Sequence, residues 1–485
     1  MPEHSPEHLD VLIVGAGLSG IGAAVRLREK DAGLTLAIFE GRDAIGGTWD
    51  LFRYPGVRSD SDMATLGYPF RAWRGDRAIA EGGAIRDYIV DTARETGVAA
   101  LVRLRHRVLR ADWSHQDARW TVDYEVDGVA ARVTCAFLYG CTGYYDYAQG
   151  HAPDWPGRGE FAGTLVHPQF WPETLDVTGK RVVVIGSGAT AVTLVPALVR
   201  RGAAHVTMLQ RSPTYIVSMP SRSAVDARLR RLLPARAADA AIRWKSIAVS
   251  SFFYTLARQR PAAVRRGIAD EQRKLLGEGF EMAHLTPRYD PWDERLCLVP
   301  DADLFAVLKD RRAAIVTDRI ARFTRDGLAL ESGVDLPADV IVTATGLRVQ
   351  MMGGIALSVD DVPVVMAERL VFRGAMLDGV PNFAFSVGYT NASWTLKSDL
   401  TARFVGRLLR HMRRGSFRSV EAIAMPGEAS DDPLFGLQSG YVRRAAGAMP
   451  RQGKRSPWRV RQNYLLDWLD FHASRVRPGP LRFGK

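Results

Sequence analysis

Residues 161–191, FAGTLVHPQFWPETLDVTGKRVVVIGSGATA, decide the fold of this chain. An aromatic linker at 161–172 precedes a hydrophobic run at 182–185, and this run leads into the glycine turn Gly186-Ser187-Gly188-Ala189-Thr190-Ala191. A buried strand, a glycine turn and a helix in this order are typical of a dinucleotide-binding βα unit, whose free N–H groups at the helix start receive a pyrophosphate. We therefore expect a nucleotide at residues 186–191.

A second unit of this kind lies near the start of the chain. Strand-like residues 10–14 lead into the turn Gly15-Ala16-Gly17-Leu18-Ser19-Gly20 and a predicted helix at 21–29. Glu40 follows the next predicted strand, 36–39. An acid at that position accepts a hydrogen bond from a ribose 2′-OH and repels a 2′-phosphate, so the first site is predicted to favour FAD or NAD over NADP.

The corresponding position of the second unit carries no acid. The predicted strand 205–209 ends in Gln210-Arg211-Ser212. We interpret Arg211 as a clamp for a 2′-phosphate, with Ser212 as a further hydrogen-bond donor, which predicts NADPH at the second site. An ordinary surface arginine is the alternative.

The composition limits the classes of protein to which the chain can belong. At 485 residues it exceeds the size of a single hydrophobic core, so two or three domains are expected. Three cysteines, Cys135, Cys141 and Cys297, are too few and too scattered for a disulfide framework or a CxxC metal site. We expect a reducing, cytoplasmic setting and no metal centre.

The net charge of +12 raises the question of anionic partners. No helix-turn-helix, zinc-finger or RNP pattern accompanies it, so we expect no nucleic acid and attribute the charge to a solvated arginine-rich surface and to anionic cofactors. We expect no secretory leader, because residues 1–15 lack a basic region followed by an apolar one, and no membrane span, because no apolar run is long enough to cross a bilayer. Peripheral membrane contact and the oligomeric state stay open.

The pattern predicts an α/β fold with two dinucleotide-binding, Rossmann-like domains and a helical insertion. Two strands ending in Cys141-Thr142-Gly143 and Ala344-Thr345-Gly346 are predicted to carry the chain between the domains, and residues 315–336 are predicted to form a β-hairpin. The expected division is 1–150 and 346–485 for the first domain with a C-terminal extension, 151–221 and 295–345 for the second domain, and 222–294 for the helical insertion.

Two loops outside the glycine turns also contain candidate site residues. The stretch GGTWDLFRYPGVRSDSD at 46–62 is dense in aromatic and charged residues, and serves equally well as a packed surface loop or as part of a site. Arg295 follows the insertion and is surrounded by prolines and aromatics. It either points into an interdomain cleft or forms a salt bridge with Asp290 or Asp293.

With these residues in view, the chain resembles the class B flavoprotein monooxygenases and, within them, the Baeyer-Villiger monooxygenases, most closely the subgroup that activates thioamide prodrugs. Phe161-x-Gly163-x-x-x-His167-x-x-x-Trp171-Pro172 fits that family's fingerprint at every fixed position. The second family motif, Gly46-Gly47-x-Trp49-x-x-x-x-Tyr54-Pro55-Gly56-x-x-x-Asp60, is also complete. The chain has Glu294 where many members carry a lysine, which matches the prodrug-activating subgroup.

The resemblance implies a cofactor set and a reaction. FAD is implied in the first site and NADPH in the second. Reduced flavin reacts with O2 to a C4a-peroxyflavin that attacks a ketone and yields an ester or lactone, and oxidation of sulfur in thioethers or thioamides is a further implied activity.

The resemblance also implies roles for individual residues. Arg295 and Asp60 are implied as catalytic residues, and His167 and Trp171 as residues that couple the two domains. Residues implied or expected to bind the cofactors are Gly15, Gly17, Ser19, Gly20, Glu40, Thr48, Trp49, Asp60, Val108, Gly186, Ser187, Gly188, Ala189, Thr190, Arg211 and Ser212.

Two other hypotheses compete with this one. An N- or S-oxygenating flavin-containing monooxygenase would carry the same two nucleotide sites but would not form esters. A catalytically silent, flavin-binding protein associated with a membrane would keep the fold and consume no NADPH in response to a substrate.

Overall fold

The computed structural model describes residues 6–294, 296–436, 439–473 and 479–485. Arg295, predicted to be catalytic, lies outside the described residues. The described chain is built around two separate sheets, each with a parallel core. In each sheet, one strand leads directly into one of the two glycine turns.

The first sheet has a parallel part and an antiparallel part. The parallel strands are, in spatial order, Val102–Arg103, Leu36–Phe39, His8–Val14, Val129–Gly140 and Phe383–Phe385. Val129–Gly140 also begins an antiparallel meander with Arg119–Val126 and His106–Ser114, extended at its edge by Ala356–Val359 and Val362–Pro363. In His8–Val14, Val11 and Ile13 enter the core on one face of the sheet and Leu12 and Val14 the core on the other, which explains the hydrophobic run at 11–14.

Helices cover one face of this sheet. Leu18–Lys30 follows the first glycine turn and packs against the long helix Trp394–Gly415. The C-terminal helix Tyr464–Ala473 is attached to the long helix by a buried ion pair, in which Lys397 Nζ lies 2.6 Å from Asp467 Oδ2. The remaining α-helices of this part are Thr48–Leu51, Met63–Leu66, Gly82–Glu95 and Gly440–Ala445.

The second sheet is parallel throughout its described strands, which lie in the order Ala313–Thr317, His205–Gln210, Arg181–Ile185, Val340–Thr343 and Thr164–Val166. The helices Ala189–Arg200 and Asp303–Lys309 pack on it. Ile216–Met219 pairs with Cys297–Pro300 beside the sheet.

The hairpin predicted for residues 315–336 is wrong in its first strand. Ala313–Thr317 is an edge strand of the parallel sheet, paired with His205–Gln210. The antiparallel unit begins later and consists of Ile320–Thr324, Gly327–Leu330 and Asp335–Pro337. A pairing partner more than 100 residues away leaves no mark in the local pattern.

The insertion between the two halves of the second sheet is helical, as predicted. Its α-helices are Ala224–Leu232, Ala235–Gln259 and Pro261–Leu276, and the 3-10 helix Met282–Leu285 follows. Together with the two sheets, these helices confirm the predicted fold class, an α/β fold with two Rossmann-like units and a helical insertion.

The strands Tyr145–Gly150 and Leu347–Val349 carry the chain between the two sheets, and we call them the crossing strands. They pair antiparallel, with Leu347 opposite Gly150. The smaller strands near the C-terminus are Val371–Phe372, Met376–Leu377, Ser419–Ala422, Ala429–Pro433, Arg451–Gly453 and Leu481–Gly484.

Candidate active site

A cleft of about 1300 Å³ lies between the two sheets, and both glycine turns line it. The residues expected to bind cofactors that line this cleft are Gly15, Gly17, Ser19, Glu40, Thr48, Trp49, Asp60, Val108, Gly186, Ser187, Gly188, Ala189, Thr190, Arg211 and Ser212. Gly20, His167 and Trp171 are not part of its lining.

The first glycine turn is shaped by close backbone contacts. Gly15 has φ +105°, and a Cβ there would lie 2.5 Å from the carbonyl oxygen of Cys141. Gly20 is not at the cleft because it lies under the turn, where a Cβ would be 1.8 Å from the carbonyl oxygen of Gly15. The glycines therefore bring the helix Leu18–Lys30 against the strand and leave its N-terminus open to the cleft.

Glu40 is buried directly beside this turn. Its Oε2 accepts a hydrogen bond from the backbone N–H of Ala16 at 2.8 Å, and its Oε1 accepts one from the N–H of Arg42 at 3.0 Å. Burial raises the pKa of the Glu40 carboxyl, while these two backbone donors and the Arg42 charge act in the opposite direction. The carboxylate thus joins the glycine turn to the end of the second strand, at the edge of the cleft.

Residues 46–60, which we call the bridging loop, contact both nucleotide units. A Cβ on Gly47 would lie 2.9 Å from the Cα of Gly17 in the first glycine turn. At the other end of the loop, a Cβ on Gly56 would lie 2.7 Å from Ala197 Cβ and 3.0 Å from the carbonyl oxygen of Thr193. The loop is therefore wedged between the first turn and the helix that follows the second turn.

An ion pair reinforces this bridge. Arg58 Nη1 lies 2.5 Å from Asp303 Oδ2, and the side chains are 8% and 17% exposed. Tyr54, also in the loop, packs against the core of the second sheet, and burial raises the pKa of its hydroxyl to about 12. The hydroxyl of Tyr54 is therefore neutral at physiological pH.

Asp60 lines the cleft on a turn that the insertion holds in place. Ser61 Oγ donates a hydrogen bond to Asp60 Oδ1 at 3.2 Å. Asp62 caps the helix Met63–Leu66 by accepting from the N–H of Ala64 at 2.8 Å, and it also accepts a hydrogen bond from Ser246 Oγ at 2.7 Å. A residue of the insertion thus fixes the turn two residues from Asp60, a contact for which the sequence contains no signal.

The second glycine turn repeats the construction of the first. Gly186 has φ +137°, and a Cβ there would lie 2.3 Å from the carbonyl oxygen of Ala344. Cys141 and Ala344 each precede a Thr-Gly pair at the end of a strand. In both units, the carbonyl oxygen of this residue lies against the first glycine of the turn. A Cβ on Gly188 would meet no atom within 4 Å, and this face of the turn is open to the cleft.

At the end of the strand His205–Gln210, the position that corresponds to Glu40 in the first unit, Gln210 turns away from the glycine turn. Its buried amide Nε2 donates hydrogen bonds to the carbonyl oxygen of His284 at 2.7 Å and to Thr317 Oγ1 at 2.8 Å. Ser212 contacts the turn instead, because its carbonyl oxygen accepts from Ser187 Oγ at 3.1 Å. The position occupied by a carboxylate in the first unit therefore carries no acid.

Arg211 is exposed at the same end of the cleft. Within the part of the chain that the structure describes, it forms no salt bridge. Burial raises the pKa of the Glu294 carboxyl, and the charge of Arg211 acts in the opposite direction. Arg319 lines the cleft as well. It follows the strand Ala313–Thr317 by two residues, and the sequence does not single it out because the pairing of that strand with His205–Gln210 is not visible in the local pattern.

The linker residues His167 and Gln169 contact a crossing strand. The His167 ring packs on Gly150, where a Cβ would lie 2.0 Å from His167 Cε1. Gln169 is buried, and its Nε2 donates to the carbonyl oxygens of Asp146 at 2.8 Å and Tyr147 at 3.1 Å. Burial lowers the pKa of His167, opposed by contacts with the backbone of Gly346 and His151.

Trp171, at the end of the same linker, is buried in the core of the second sheet. The linker is thus anchored in one unit by Trp171 and on the crossing strand by His167 and Gln169. Gln169 occupies a variable position of the fingerprint, which is why the sequence did not single it out.

Comparisons with known proteins agree with this geometry. The model for NAD(P)-binding Rossmann-like domains matches residues 13–78, and the model for flavin-binding monooxygenase-like proteins matches residues 79–232. The chain is 49% identical to the FAD-containing monooxygenase EthA of Mycolicibacterium smegmatis, covering 99% of this chain and 98% of that protein. It is also 49% identical to the putative FAD-containing monooxygenase MymA of Mycobacterium tuberculosis, covering 98% of each.

The structure of an oxidized steroid monooxygenase bound to NADP has the same fold. It superposes with a TM-score of 0.77 at 21% identity and covers 99% of this chain and 100% of that one. Together with the two family models, the fold and the cleft define the class of flavoproteins with two dinucleotide-binding units. At the identity and coverage given above, the chain belongs to the FAD-containing monooxygenases. The predicted enzyme class, with a flavin and a nicotinamide cofactor, is confirmed.

Proposed function

We propose that this chain is a Baeyer-Villiger monooxygenase that uses FAD, NADPH and O2 to convert ketones into esters or lactones. The observation that carries the proposal is the cleft of about 1300 Å³ lined by both glycine turns. Direct hydride transfer requires the reacting atoms to approach to about 3 to 3.5 Å, so two cofactors that exchange a hydride need such a shared space. The complete fingerprint at 161–172 supports the same class.

The residues around the first turn fit FAD. Gly15 and Gly17 line the cleft, and the helix Leu18–Lys30 directs its N-terminus toward it, where a pyrophosphate would bind. The Glu40 carboxylate lines the cleft and would accept a hydrogen bond from a ribose hydroxyl. We assign Thr48, Trp49 and Val108, which line the same part of the cleft, to this cofactor.

The residues around the second turn fit NADPH. Gly188 leaves open space at the start of the helix Ala189–Arg200, where a pyrophosphate would bind. Arg211 presents a guanidinium with no salt bridge among the described residues, next to Ser212. A guanidinium binds a phosphate through two parallel hydrogen bonds, which supports a 2′-phosphate over a 2′-hydroxyl.

When bound, NADPH supplies the hydride and the flavin supplies the redox chemistry that activates O2. We assign Asp60 and Arg295 to the oxygenation step. Asp60 and Glu294, the neighbour of Arg295 in sequence, both line the cleft. A cation placed there would stabilise negative charge on oxygen, which is worth about 3 to 4 kcal/mol per well-placed donor in a site that excludes water.

Oxidation of sulfur in thioethers or thioamides is the second candidate function. It is supported by the matching family model, which describes flavin-binding monooxygenases in general rather than ketone-oxidising ones. Both reactions would use the same two cofactors, so only the products separate them.

Product analysis tests the proposal. The purified holoenzyme is incubated with NADPH and a panel of phenyl ketones and long-chain methyl ketones, and we expect esters. Asp60→Ala and Arg295→Ala should leave reduction of the flavin by NADPH intact and lower ester formation by about 100-fold or more. Arg201→Ala, at an exposed position, is the matched control. Sulfoxides from thioethers with no ester from any ketone would overturn the first function in favour of the second.

A further inference from the structure

The insertion exposes apolar side chains that no other part of the described structure covers. On the helix Ala235–Gln259, Trp244 is 43%, Val249 57% and Phe252 68% exposed. Ala240, Trp244, Ala248 and Phe252 follow one another at intervals of four residues and are all exposed. This spacing places them in one stripe along the outer face of the helix.

The C-terminal helix extends this stripe into a patch. Its residues Leu465, Leu466 and Leu469 are 40%, 46% and 56% exposed. The Trp244 ring contacts two rings of this helix, with centroid distances of 6.2 Å to Tyr464 and 5.8 Å to Trp468. Trp244 thus connects the exposed side chains of the two helices, and we call Trp244, Val249, Phe252, Leu465, Leu466 and Leu469 together the apolar patch.

The neighbouring helix Ala224–Leu232 has the same character. None of its residues is buried in the described structure, and it exposes Val225 and Leu232 by 57% and 65%. Helices in proteins owe most of their stability to the packing of an apolar face. A helix with so little packing of its own is stabilised when another surface covers it.

The charge is positive on the side of the patch that the insertion forms. Residues 222–276 contain thirteen lysines and arginines against four aspartates and glutamates, a net charge of +9 out of +12 for the whole chain. Arg228, Arg231 and Arg236 are exposed on or directly beside the first helix of the insertion, and Arg260, Arg265 and Arg266 at the far end of the helix Ala235–Gln259. Arginines thus stand at both ends of the apolar stripe.

We propose that the apolar patch binds the surface of an anionic lipid bilayer. Tryptophan, phenylalanine and leucine side chains insert about 5 to 10 Å into the boundary between headgroups and acyl chains, while a basic rim contacts the lipid phosphates. A second copy of the chain is a poorer occupant, because a two-fold contact places two surfaces of like charge against each other. In the described part of the chain, no helix has the length and apolar character needed to cross a membrane.

Co-sedimentation of the holoenzyme with vesicles tests this proposal. One set of vesicles consists of phosphatidylcholine and the other of phosphatidylcholine mixed with phosphatidylglycerol. We expect binding to the anionic set that weakens with salt. The double substitution Phe252→Ser with Leu469→Ser should lower the apparent affinity about tenfold or more, because it removes two inserting side chains. Arg228→Glu with Arg231→Glu should lower it by a similar factor and reduce its salt dependence.

Val129→Ser with Val362→Ser is the matched control, since these side chains are 69% and 64% exposed at the meander and should not affect vesicle binding. Flavin absorbance and the thermal midpoint verify that each variant is folded. The proposal is overturned if the unsubstituted enzyme stays in the supernatant with anionic vesicles, or if the Phe252 and Leu469 variant binds them as tightly. It is also overturned if that variant abolishes a dimer observed without lipid while vesicle binding is unchanged.

Discussion

The imidazole ring of His167 fills the space into which a side chain on Gly150 would project, with Cε1 of the ring 2.0 Å from the position of that Cβ. Gly150 ends a crossing strand, and His167 belongs to the linker that precedes the second sheet. Thr345, on the return path, donates a hydrogen bond to the carbonyl oxygen of His151 at 2.5 Å. Linker and both crossings therefore form one packed joint between the two nucleotide units.

Gly150→Ala should disturb this joint without touching either cofactor. The added methyl group would displace the His167 ring, at a cost of about 1 to 3 kcal/mol for overpacking. We expect NADPH oxidation to become uncoupled from oxygenation, so that hydrogen peroxide rises and product per NADPH falls. Gly159→Ala is the control, because a Cβ there meets no atom within 4 Å. Equal coupling in both variants would show that the contact does not matter for the reaction.

The burial of His167 makes stability depend on pH. Burial lowers the pKa of His167 below its usual 6.5, and burial also lowers the pKa of His151. Between the lowered pKa and 6.5, these histidines are protonated in the unfolded chain but largely neutral in the folded chain. The free energy of unfolding should therefore fall as the pH falls through this window. His167→Gln should flatten that part of a plot of thermal midpoint against pH. An unchanged slope would contradict the assignment.

The two glycines of the second turn should respond differently to alanine. Gly186→Ala places a Cβ 2.3 Å from the carbonyl oxygen of Ala344 at φ +137°, so we expect loss of stability of at least about 1 to 3 kcal/mol. Gly188→Ala meets no protein atom within 4 Å. It should therefore keep the thermal midpoint and weaken NADPH binding, as measured by flavin reduction at increasing NADPH. Unimpaired NADPH binding in Gly188→Ala would argue against a pyrophosphate at this turn.

Arg211→Ala tests the choice between NADPH and NADH. Loss of a charge-assisted hydrogen-bond pair to a 2′-phosphate should raise the KM for NADPH about tenfold or more and leave the KM for NADH nearly unchanged. Arg201→Ala serves as the control, because Arg201 is an exposed arginine directly after the helix Ala189–Arg200. Equal effects on both nucleotides would reject the clamp.

Local patterns were sufficient for the glycine turns and for the parallel strands beside them, but not for the edge strand Ala313–Thr317. Leu36–Phe39 begins and ends at the predicted residues, because a short apolar run bounded by polar residues has few alternatives. Residues 102–109 are strand-like in sequence and are predicted to form one strand, but the structure interrupts it at Arg105, which adopts φ +59°. An arginine in the left-handed region has no signature in the sequence. The predicted domain boundaries stay predictions.

The candidate site was predictable where a motif carried it. Both glycine turns, Glu40 and Arg211 were identified from spacing alone, and all line the cleft. The contacts that join the two units could not be predicted, because they involve backbone atoms far away in sequence. These contacts are Gly56 against Thr193 and Gln169 against Asp146. The roles of Asp60 and Arg295 in catalysis stay predictions.

The most direct test of the central claim follows the oxygen atom. The holoenzyme is supplied with NADPH, a ketone and isotopically labelled O2, and the products are analysed by mass spectrometry together with NADPH consumption. We predict an ester or lactone that contains one labelled oxygen atom, formed in equal amount to the NADPH oxidised. Label that appears only in hydrogen peroxide and water across the ketone panel, or only in sulfoxides when thioethers are supplied, would contradict a Baeyer-Villiger monooxygenase.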